Sequence, residues 1–220
     1  ISRGIAQYQH SLKRSLNTEF NPDVIYTCGE ISKNLLLNEN KINNIPIVNI
    51  GSPKKFLLIK RTFNYNNFVC LVAPEGDSGE TELLFNFSIQ CAKRNLKIKY
   101  LWRIHPYFTH LRLKKIIDIK NLPKNIVISN QNLKKDIINS NIILYRGSTT
   151  VISAAANGLI PIYLDNGDLK NDPIFNSKKD LFDIKSTDEF FSILDKIKFN
   201  KIDHKLLADI KKYCLDYFTN

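Results

Sequence analysis

Three short segments of this 220-residue chain combine acidic, basic, hydroxyl and glycine residues in spacings that suit phosphate binding and proton transfer. They are Pro74-Glu75-Gly76-Asp77-Ser78-Gly79-Glu80, Arg103-Ile104-His105-Pro106 and Tyr145-Arg146-Gly147-Ser148-Thr149-Thr150. Each segment follows a short apolar run of the kind that forms a buried strand. Polar loops at the ends of three strands predict a ligand site.

The acidic residues of the first loop divide into two groups. Glu75 directly follows the strand and is suited to act as a general base that takes a proton from an acceptor hydroxyl. Asp77 and Glu80, three residues apart at the start of a helical pattern, match a capping box. Gly76 permits a sharp turn and close approach of a ligand to the backbone. We therefore assign catalysis to Glu75 and helix capping to Asp77 and Glu80.

The second loop places a histidine where a strand ends. An imidazole there can donate a hydrogen bond to a phosphate oxygen or protonate a leaving phosphate. Proline is favoured at the first position of a helix, so Pro106 predicts that the next helix begins there. We assign His105 to catalysis, and Arg103 and Pro106 to donor binding. The alternative for His105 is a hydrogen bond to a backbone carbonyl.

The third loop joins a strand to a predicted helix. Backbone amides at such a junction bind anions, and the hydroxyls of Ser148 and Thr149 add donors. Gly147 lets a ligand approach the backbone, and Arg146 and Thr150 complete the predicted phosphate-binding set. Capping of the helix by Ser148 is the structural alternative, and both roles can coexist because a cap uses only some of the amides.

Apolar runs alternate with helical patterns on both sides of these loops. The predicted strands are 24–27, 47–50, 68–73, 98–104, 126–129, 142–145 and 160–164, and the predicted helices are 4–17, 31–38, 81–95, 107–119, 132–139, 149–157, 187–197 and 204–217. This alternation predicts an α/β fold, a Rossmann-like parallel sheet with helices on both faces, plus part of a second α/β domain. Ligands bind such sheets beyond the carboxyl ends of the strands, where the three loops lie.

The order of these motifs resembles the C-terminal, donor-binding domain of GT-B glycosyltransferases. The resemblance covers residues 68–164. It is closest to bacterial inverting enzymes that use CMP-sugars, such as the sialyltransferases and polysialyltransferases of capsule and lipooligosaccharide synthesis, and extends to CDP-glycerol glycerophosphotransferases. It implies that Glu75-Gly76 carries the base, that His105-Pro106 holds the cytidine phosphate, and that Ser148-Thr149 binds donor phosphate.

Two departures from the family pattern bear on the base and on the donor. Pro74 stands where the family has the first acid of an acid-acid-Gly motif. Many UDP-sugar GT-B enzymes carry a Glu in the last phosphate-binding helix to bond the donor ribose, and here that position falls on Ser153 or Ala154. The missing carboxylate argues against a UDP donor. We therefore expect an inverting transferase that uses a CMP-sugar or a CDP-polyol.

Composition narrows the classes of function. Hydrophobic residues make up 43% and charged residues 24%, as in ordinary globular proteins, and no apolar run approaches the roughly 18–20 residues that span a bilayer. The four cysteines lack the spacing of a zinc site or a disulfide framework, which predicts free thiols, with Cys70 and Cys91 buried. No Asp-x-Asp metal motif is present, and we expect no cofactor and no metal.

The formal charge of +11 could attract nucleic acid, anionic lipid or an anionic substrate. The basic residues are spread along the chain, apart from pairs at 54–55, 60–61 and 114–115. No nucleic-acid-binding motif is present, so we do not expect a nucleic-acid partner. Lys54, Lys55, Lys114 and Lys115 are candidates for contact with an anionic glycan or a membrane surface.

The organisation and partners follow from these observations. We expect residues 1–53 to be the end of an acceptor-side domain, 54–67 a linker and 68–220 the donor domain. The chain opens at Ile1 within a helical pattern, which predicts that it is part of a longer protein. The expected partners are a nucleotide-sugar donor and a glycan or lipid-linked acceptor. The expected location is the cytoplasm, and a protein that associates peripherally with a membrane would lie at the inner face of the plasma membrane.

Two other functions fit the same pattern. A non-hydrolysing sugar-nucleotide epimerase has the same two-domain shape, but it would need further carboxylates and histidines in the cleft. The histidines available are His10, His105, His110 and His204. A donor domain that has lost catalysis and serves as a binding module or scaffold is the non-enzyme alternative, because fold alone does not define function.

Overall fold

The computed structural model describes most of the chain. The described residues are 22–39, 45–52, 58–59, 68–106, 108–168, 171–178 and 180–218. The predicted helix at 4–17 lies outside them, as does most of the predicted linker at 54–67. No helix of the described residues is both long and apolar enough to cross a membrane.

The first part of the described chain is a small parallel βαβ unit. Strands β1 (Ile25–Thr27) and β2 (Ile47–Asn49) pair in parallel, and helix α1 (Glu30–Asn34) continues into a π-helical turn between them. A small core of Leu36 and Ile45 holds the unit together. This arrangement agrees with the predicted piece of a second α/β unit.

The rest of the chain forms a six-stranded parallel sheet. Its strands are β3 (Val69–Pro74), β4 (Lys99–Trp102), β5 (Ile126–Ile128), β6 (Ile142–Arg146), β7 (Ile160–Leu164) and β8 (Asp183–Ile184). They lie in the order β5-β4-β3-β6-β7-β8. This is the strand order of dinucleotide-binding folds, in which the winding reverses between the first and fourth strands of the sheet. The reversal lies here between β3 and β6.

Helices cover both faces of this sheet. They are α2 (Ser78–Arg94), α3 (His110–Ile116), α4 (Leu133–Ile138), α5 (Thr150–Ala156), α6 (Phe175–Lys178), α7 (Thr187–Lys198) and α8 (His204–Asp216). Helix α2 packs with α7, and α5 packs with α8. Right-handed crossovers place α2 and α5 on opposite faces, because their chains wind in opposite directions from the centre of the sheet.

The sheet is buried on both faces, which explains its near-continuous apolar strands. Cys70, Leu71 and Val72 of β3 are fully buried, as are all residues of β6 and β7. On one face, Phe85 of α2 stacks on Trp102 with ring centroids 4.0 Å apart. The Trp102 indole also donates a hydrogen bond of 2.8 Å to Ser88. Burial of Cys70 and Cys91 as free thiols is confirmed.

The structure differs from the sequence-based expectations of local structure at three points. Pro106 lies in a turn and does not begin a helix: α3 starts at His110, after Thr109, whose side chain accepts from the Arg112 amide at 3.3 Å. The elements α6 and β8 were not predicted, since they are short and polar. Ser148 is not the cap of α5: the N-cap is Thr149, and it makes no side-chain capping bond.

Candidate functional site

The three polar loops open at the same edge of the sheet. Strands β3 and β6 are parallel neighbours whose last residues, Pro74 and Arg146, stand side by side in register. Strand β4 pairs with the other side of β3, so its exit loop lies at the same edge. The winding reversal leaves a crevice between the exits of β3 and β6. The sequence-predicted loops therefore meet at the point where parallel sheets bind ligands.

Glu75 packs directly against the turn at Gly147. A Cβ atom on Gly147 would lie 1.9 Å from Oε2 of Glu75, and Gly147 has a φ of +67°. Only glycine adopts this left-handed conformation at little cost and leaves space for the carboxylate. The structure thus joins the first and third loops through a contact between a predicted base and a predicted phosphate-binding turn.

Asn171 is a site residue that the sequence did not reveal. Its side-chain amide donates a hydrogen bond of 3.0 Å to Oε2 of Glu75. Its backbone carbonyl accepts a bond of 3.0 Å from the Gly147 backbone amide, and its backbone amide donates to the Tyr163 hydroxyl at 3.0 Å. Asn171 lies in the loop that follows β7, which is a fourth strand exit at the same edge of the sheet.

His105 lies against the other side of the first loop. A Cβ atom on Gly76 would lie 2.8 Å from Nδ1 of His105, so the imidazole rests on the Gly76 backbone. Substitution at Gly76 would push the ring away. Gly76 therefore sets the position of His105 beside the loop that carries Glu75.

Burial shifts the pKa values of both predicted catalytic groups toward their neutral forms. Desolvation raises the pKa of Glu75 above its ordinary value; Glu80 and Asp77 raise it further, and Arg146 opposes them. Desolvation lowers the pKa of His105. A carboxylate with a raised pKa is a stronger base once ionised, and perturbed groups of this kind are typical of active sites.

Arg146 lies beneath the crevice. Its side chain is 2% exposed and forms an ion pair with Glu80, with Nε and Oε2 2.7 Å apart. The guanidinium also donates to the Tyr163 hydroxyl at 3.0 Å and to the Leu164 carbonyl at 3.2 Å. Glu80 therefore faces Arg146, and the predicted capping-box partnership is wrong for Glu80, although Asp77 does cap α2 at the amides of Gly79 and Glu80. A phosphate-binding role for Arg146 stays a prediction.

Arg103 is held by a buried carboxylate. Its guanidinium donates to Oδ2 of Asp136 at 2.7 Å and to the Gln131 carbonyl at 3.1 Å. The other oxygen of Asp136 accepts from the Ser129 hydroxyl at 2.6 Å. These contacts tie the exits of β4 and β5 together. The structure thus gives Arg103 a structural partner, and its donor-binding role stays a prediction.

The turn after Gly147 presents several unused donors. Within the described residues, the backbone amides of Ser148, Thr149 and Thr150 have no hydrogen-bond acceptor. The Thr149 side chain makes no capping bond to the helix. Ser148 is nearly buried at 6% exposure and lies between Gly147 and the helix. Pro106 is exposed in its turn at the same edge. This set can bind an anion through amides and hydroxyls.

A buried ionic network supports the loop that carries Asn171. Lys178 forms ion pairs with Asp172 and Asp183, and all three side chains are buried. The Tyr145 hydroxyl donates to Asp172 at 2.8 Å, and burial, with Asp172 beside it, raises the pKa of Tyr145. The network fixes the segment next to Asn171 against β6.

No metal-binding cluster was found in the part of the chain that the structure describes. Three or more His, Cys, Asp or Glu side chains do not converge at any point there. The acidic side chains nearest the crevice, Glu75 and Glu80, are directed to Asn171 and Arg146 respectively. The expectation of metal-independent chemistry stays a prediction.

Comparison with known proteins identifies the fold. No protein-family model and no curated protein sequence matches the chain. Among solved structures, a complex of S. aureus TarM with fondaparinux, alpha-GlcNAc-glycerol and UDP matches with a TM-score of 0.55 at 13% identity, over 90% of this chain and 41% of TarM. The wall teichoic acid polymerase TagF, solved with CDPG, matches with a TM-score of 0.53 at 13% identity, over 96% of this chain and 55% of TagF.

A Listeria monocytogenes protein described as a UDP-N-acetylglucosamine 2-epimerase has the same fold. Its structure matches with a TM-score of 0.51 at 14% identity, over 90% of this chain and 55% of that protein. The chain therefore spans about two fifths to just over half of the length of these proteins. It has the Rossmann-like α/β fold of GT-B proteins. Identities this low show the fold alone.

Proposed function

We propose that the chain is the donor-binding part of an inverting glycosyltransferase that uses a CMP-sugar or a CDP-polyol. The observation that carries this proposal is the convergence of Glu75, His105 and the Gly147 turn at the winding reversal of a parallel sheet. The proposed partners are a nucleotide-activated donor and a glycan or lipid-linked acceptor, at the inner face of the plasma membrane.

The donor phosphate would bind the Gly147 turn and His105. The unused amides of Ser148, Thr149 and Thr150 supply several donors, which suits the oxygens of a phosphate. His105, held by Gly76, donates a further hydrogen bond to the phosphate that leaves. Binding of an anion next to His105 favours the protonated imidazole, because opposite charge offsets the desolvation that lowers its pKa.

Glu75 would act as the general base. It accepts the proton of an acceptor hydroxyl while the hydroxyl oxygen attacks the donor. With a CMP-sugar, the oxygen bonds to the anomeric carbon and the bond from that carbon to the phosphate oxygen breaks on the opposite face, which inverts the configuration and releases CMP. With a CDP-polyol, the oxygen bonds to the phosphorus that carries the polyol and the bridging P–O bond breaks, which also releases CMP. The hydrogen bond from Asn171 holds the Glu75 carboxylate in place.

The cytidine preference rests on the helix that follows the phosphate-binding turn. Ala154 is buried. The backbone carbonyl of Ser153 accepts a hydrogen bond of 2.8 Å from the Asn157 side-chain amide. Neither side chain can replace the ribose-binding carboxylate that the resemblance associates with UDP donors. A UDP-linked epimerase is the second candidate, favoured by the likeness to the UDP-N-acetylglucosamine 2-epimerase of Listeria monocytogenes. Preferential binding of UDP over CDP would support it.

Substitution Glu75→Gln should separate catalysis from stability. We expect transfer from a cytidine-activated donor to fall by about 10²–10⁴-fold, the usual contribution of a general base. Because the pKa of Glu75 is raised in the fold, its ionisation destabilises the native state. The protonated carboxyl favours folding at low pH, and this contribution is lost as pH rises through the raised pKa.

The Gln variant should therefore be at least as stable as the wild type at pH 7, which thermal unfolding measures. Asp77→Asn is the matched control: asparagine caps helices as well as aspartate, so both activity and stability should be kept. Equal activity of the Gln variant and the wild type would remove Glu75 from the mechanism.

Calorimetric titration with CMP, CDP and UDP tests the donor site. We expect cytidine nucleotides to bind more tightly than UDP, and His105→Ala to weaken binding by about 10–150-fold, the loss of a hydrogen bond to a charged group. Binding should take up protons at pH 7, because bound phosphate raises the pKa of His105, and the uptake should vanish in the variant. Binding that the variant retains in full would exclude His105 from the site.

A further inference from the structure

The net positive charge of the chain is concentrated in one segment. Residues 93–135 contain twelve Lys or Arg residues and a single acidic residue, Asp118, which gives this segment a net charge of +11. The remainder of the chain carries twenty basic and twenty acidic residues. The basic residues are thus spread along the chain, but acidic residues balance them everywhere except in these 43 residues, where the net charge equals that of the whole chain.

Ten of these twelve basic side chains are free to meet an external anion. Arg94 pairs with Asp188 and Arg103 with Asp136. The other ten are exposed, and within the described residues none has a carboxylate partner. We call them the basic surface: Lys93, Lys97, Lys99, Arg112, Lys114, Lys115, Lys120, Lys124, Lys134 and Lys135.

The topology gathers the basic surface at one end of the molecule. Its residues lie on or between the last turns of α2 and the start of α4, around β4 and β5. These two strands form one end of the six-stranded order. The opposite end, around β7 and β8, is acidic: residues 165–195 hold eight Asp or Glu and four Lys or Arg. The chain is thus electrically polarised along the sheet.

Aliphatic side chains are interspersed with the basic ones. Leu96 is 69% exposed, Leu111 is 73% exposed and Val127 is 40% exposed. The aromatic residues that the structure describes in this segment are all buried: Tyr100, Trp102 and Phe108. Exposed aromatic rings are the usual platform for single-stranded nucleic acid, whereas basic and aliphatic side chains together suit a lipid headgroup layer.

We propose that the basic surface binds an anionic lipid bilayer. Lysine and arginine side chains would meet the anionic headgroups, and Leu111 on α3 would enter the boundary of the acyl region. Helix α3 leads from the exit of β4 to the entry of β5, so attachment there holds the β5 side of the sheet against the bilayer. The proposal stands on charge and exposure, and it holds whether or not the crevice binds a nucleotide.

Vesicle co-sedimentation at 0.15 M salt tests this surface. We expect the wild type to bind phosphatidylcholine vesicles that contain anionic phosphatidylglycerol, and not vesicles of phosphatidylcholine alone. Combined substitution of Arg112, Lys114 and Lys115 by Gln should lower the partition coefficient by about 100-fold, since each basic residue near such a surface contributes about a fivefold factor. Leu111→Ser should weaken binding without a change of charge.

The control removes the same charge elsewhere. Lys205, Lys211 and Lys212 are exposed on α8, and their replacement by Gln should change vesicle binding by less than about twofold. Equal losses in the two triple variants would overturn the proposal, as would absence of binding to anionic vesicles. Tighter binding to an oligonucleotide or a soluble polyanion at equal phosphate or sulfate concentration would also overturn it. Thermal unfolding confirms that each variant is folded.

Discussion

Replacement of Gly147 by alanine is expected to lower the free energy of unfolding by about 3 kcal/mol and to displace Glu75. The left-handed φ of +67° alone costs an alanine about 1–2 kcal/mol. The added methyl group would also overlap Oε2 of Glu75, which a Cβ atom would approach to 1.9 Å. Because that atom ends a flexible side chain, Glu75 should swing away and lose its hydrogen bond with Asn171, worth about 1.5–3 kcal/mol before solvent exposure is discounted.

Gly158 provides a matched control for this substitution. Its φ is +82°, and a Cβ atom there would meet nothing within 4 Å. Gly158→Ala should therefore cost only the backbone strain of about 1–2 kcal/mol. Urea unfolding of the two variants measures the difference. Equal costs would show that the contact between Glu75 and Gly147 contributes nothing, and the proposed coupling of the two loops would fail.

Lys178→Met is expected to destabilise the fold by about 3–5 kcal/mol, the usual cost of leaving buried charges without a partner. The Lys178 side chain is fully buried, and its Nζ lies 2.7 Å from Oδ2 of Asp172 and next to Asp183. The variant should also loosen Asn171, which adjoins Asp172 in the chain.

Two comparisons sharpen the test of Lys178. Lys185 is 68% exposed and lies 3.8 Å from Asp165, so Lys185→Met should cost less than about 1 kcal/mol. The triple variant Lys178→Met, Asp172→Asn, Asp183→Asn should recover part of the lost stability, because it leaves no buried charge in the network. Denaturant unfolding at pH 7 measures both. A Lys178 variant as stable as the Lys185 variant would contradict a structural role for the network.

Strands β3, β6 and β7 could be predicted from sequence because each is a buried apolar run bounded by turn residues. The order of the strands could not, since it depends on which edge of the growing sheet each strand joins. Elements α6 and β8 escaped prediction because they are too short to show a periodic pattern, and β8 is defined by its pairing with β7. Helix α3 begins later than predicted, at His110, where the Thr109 side chain caps it.

The position of the candidate site could be predicted from the three polar loops, whereas the directions of the side chains could not be predicted from the sequence. Arg146 has the type and position of a phosphate ligand, yet Glu80 and Tyr163 hold it beneath the crevice. Arg103 similarly reaches Asp136, 33 residues further along the chain. Asn171 carried no motif, because its role depends on the close approach of two loops that are distant in sequence.

The most direct test of the central claim is amide chemical-shift mapping of the isotopically labelled protein during titration with CDP. We predict that the largest shifts fall on Gly76, His105, Gly147, Ser148 and Thr149, at the carboxyl edge between β3 and β6. Shifts confined to the opposite edge of the sheet, or to the basic surface, would contradict a nucleotide site in the crevice. Absence of any shift at saturating CDP would contradict it equally.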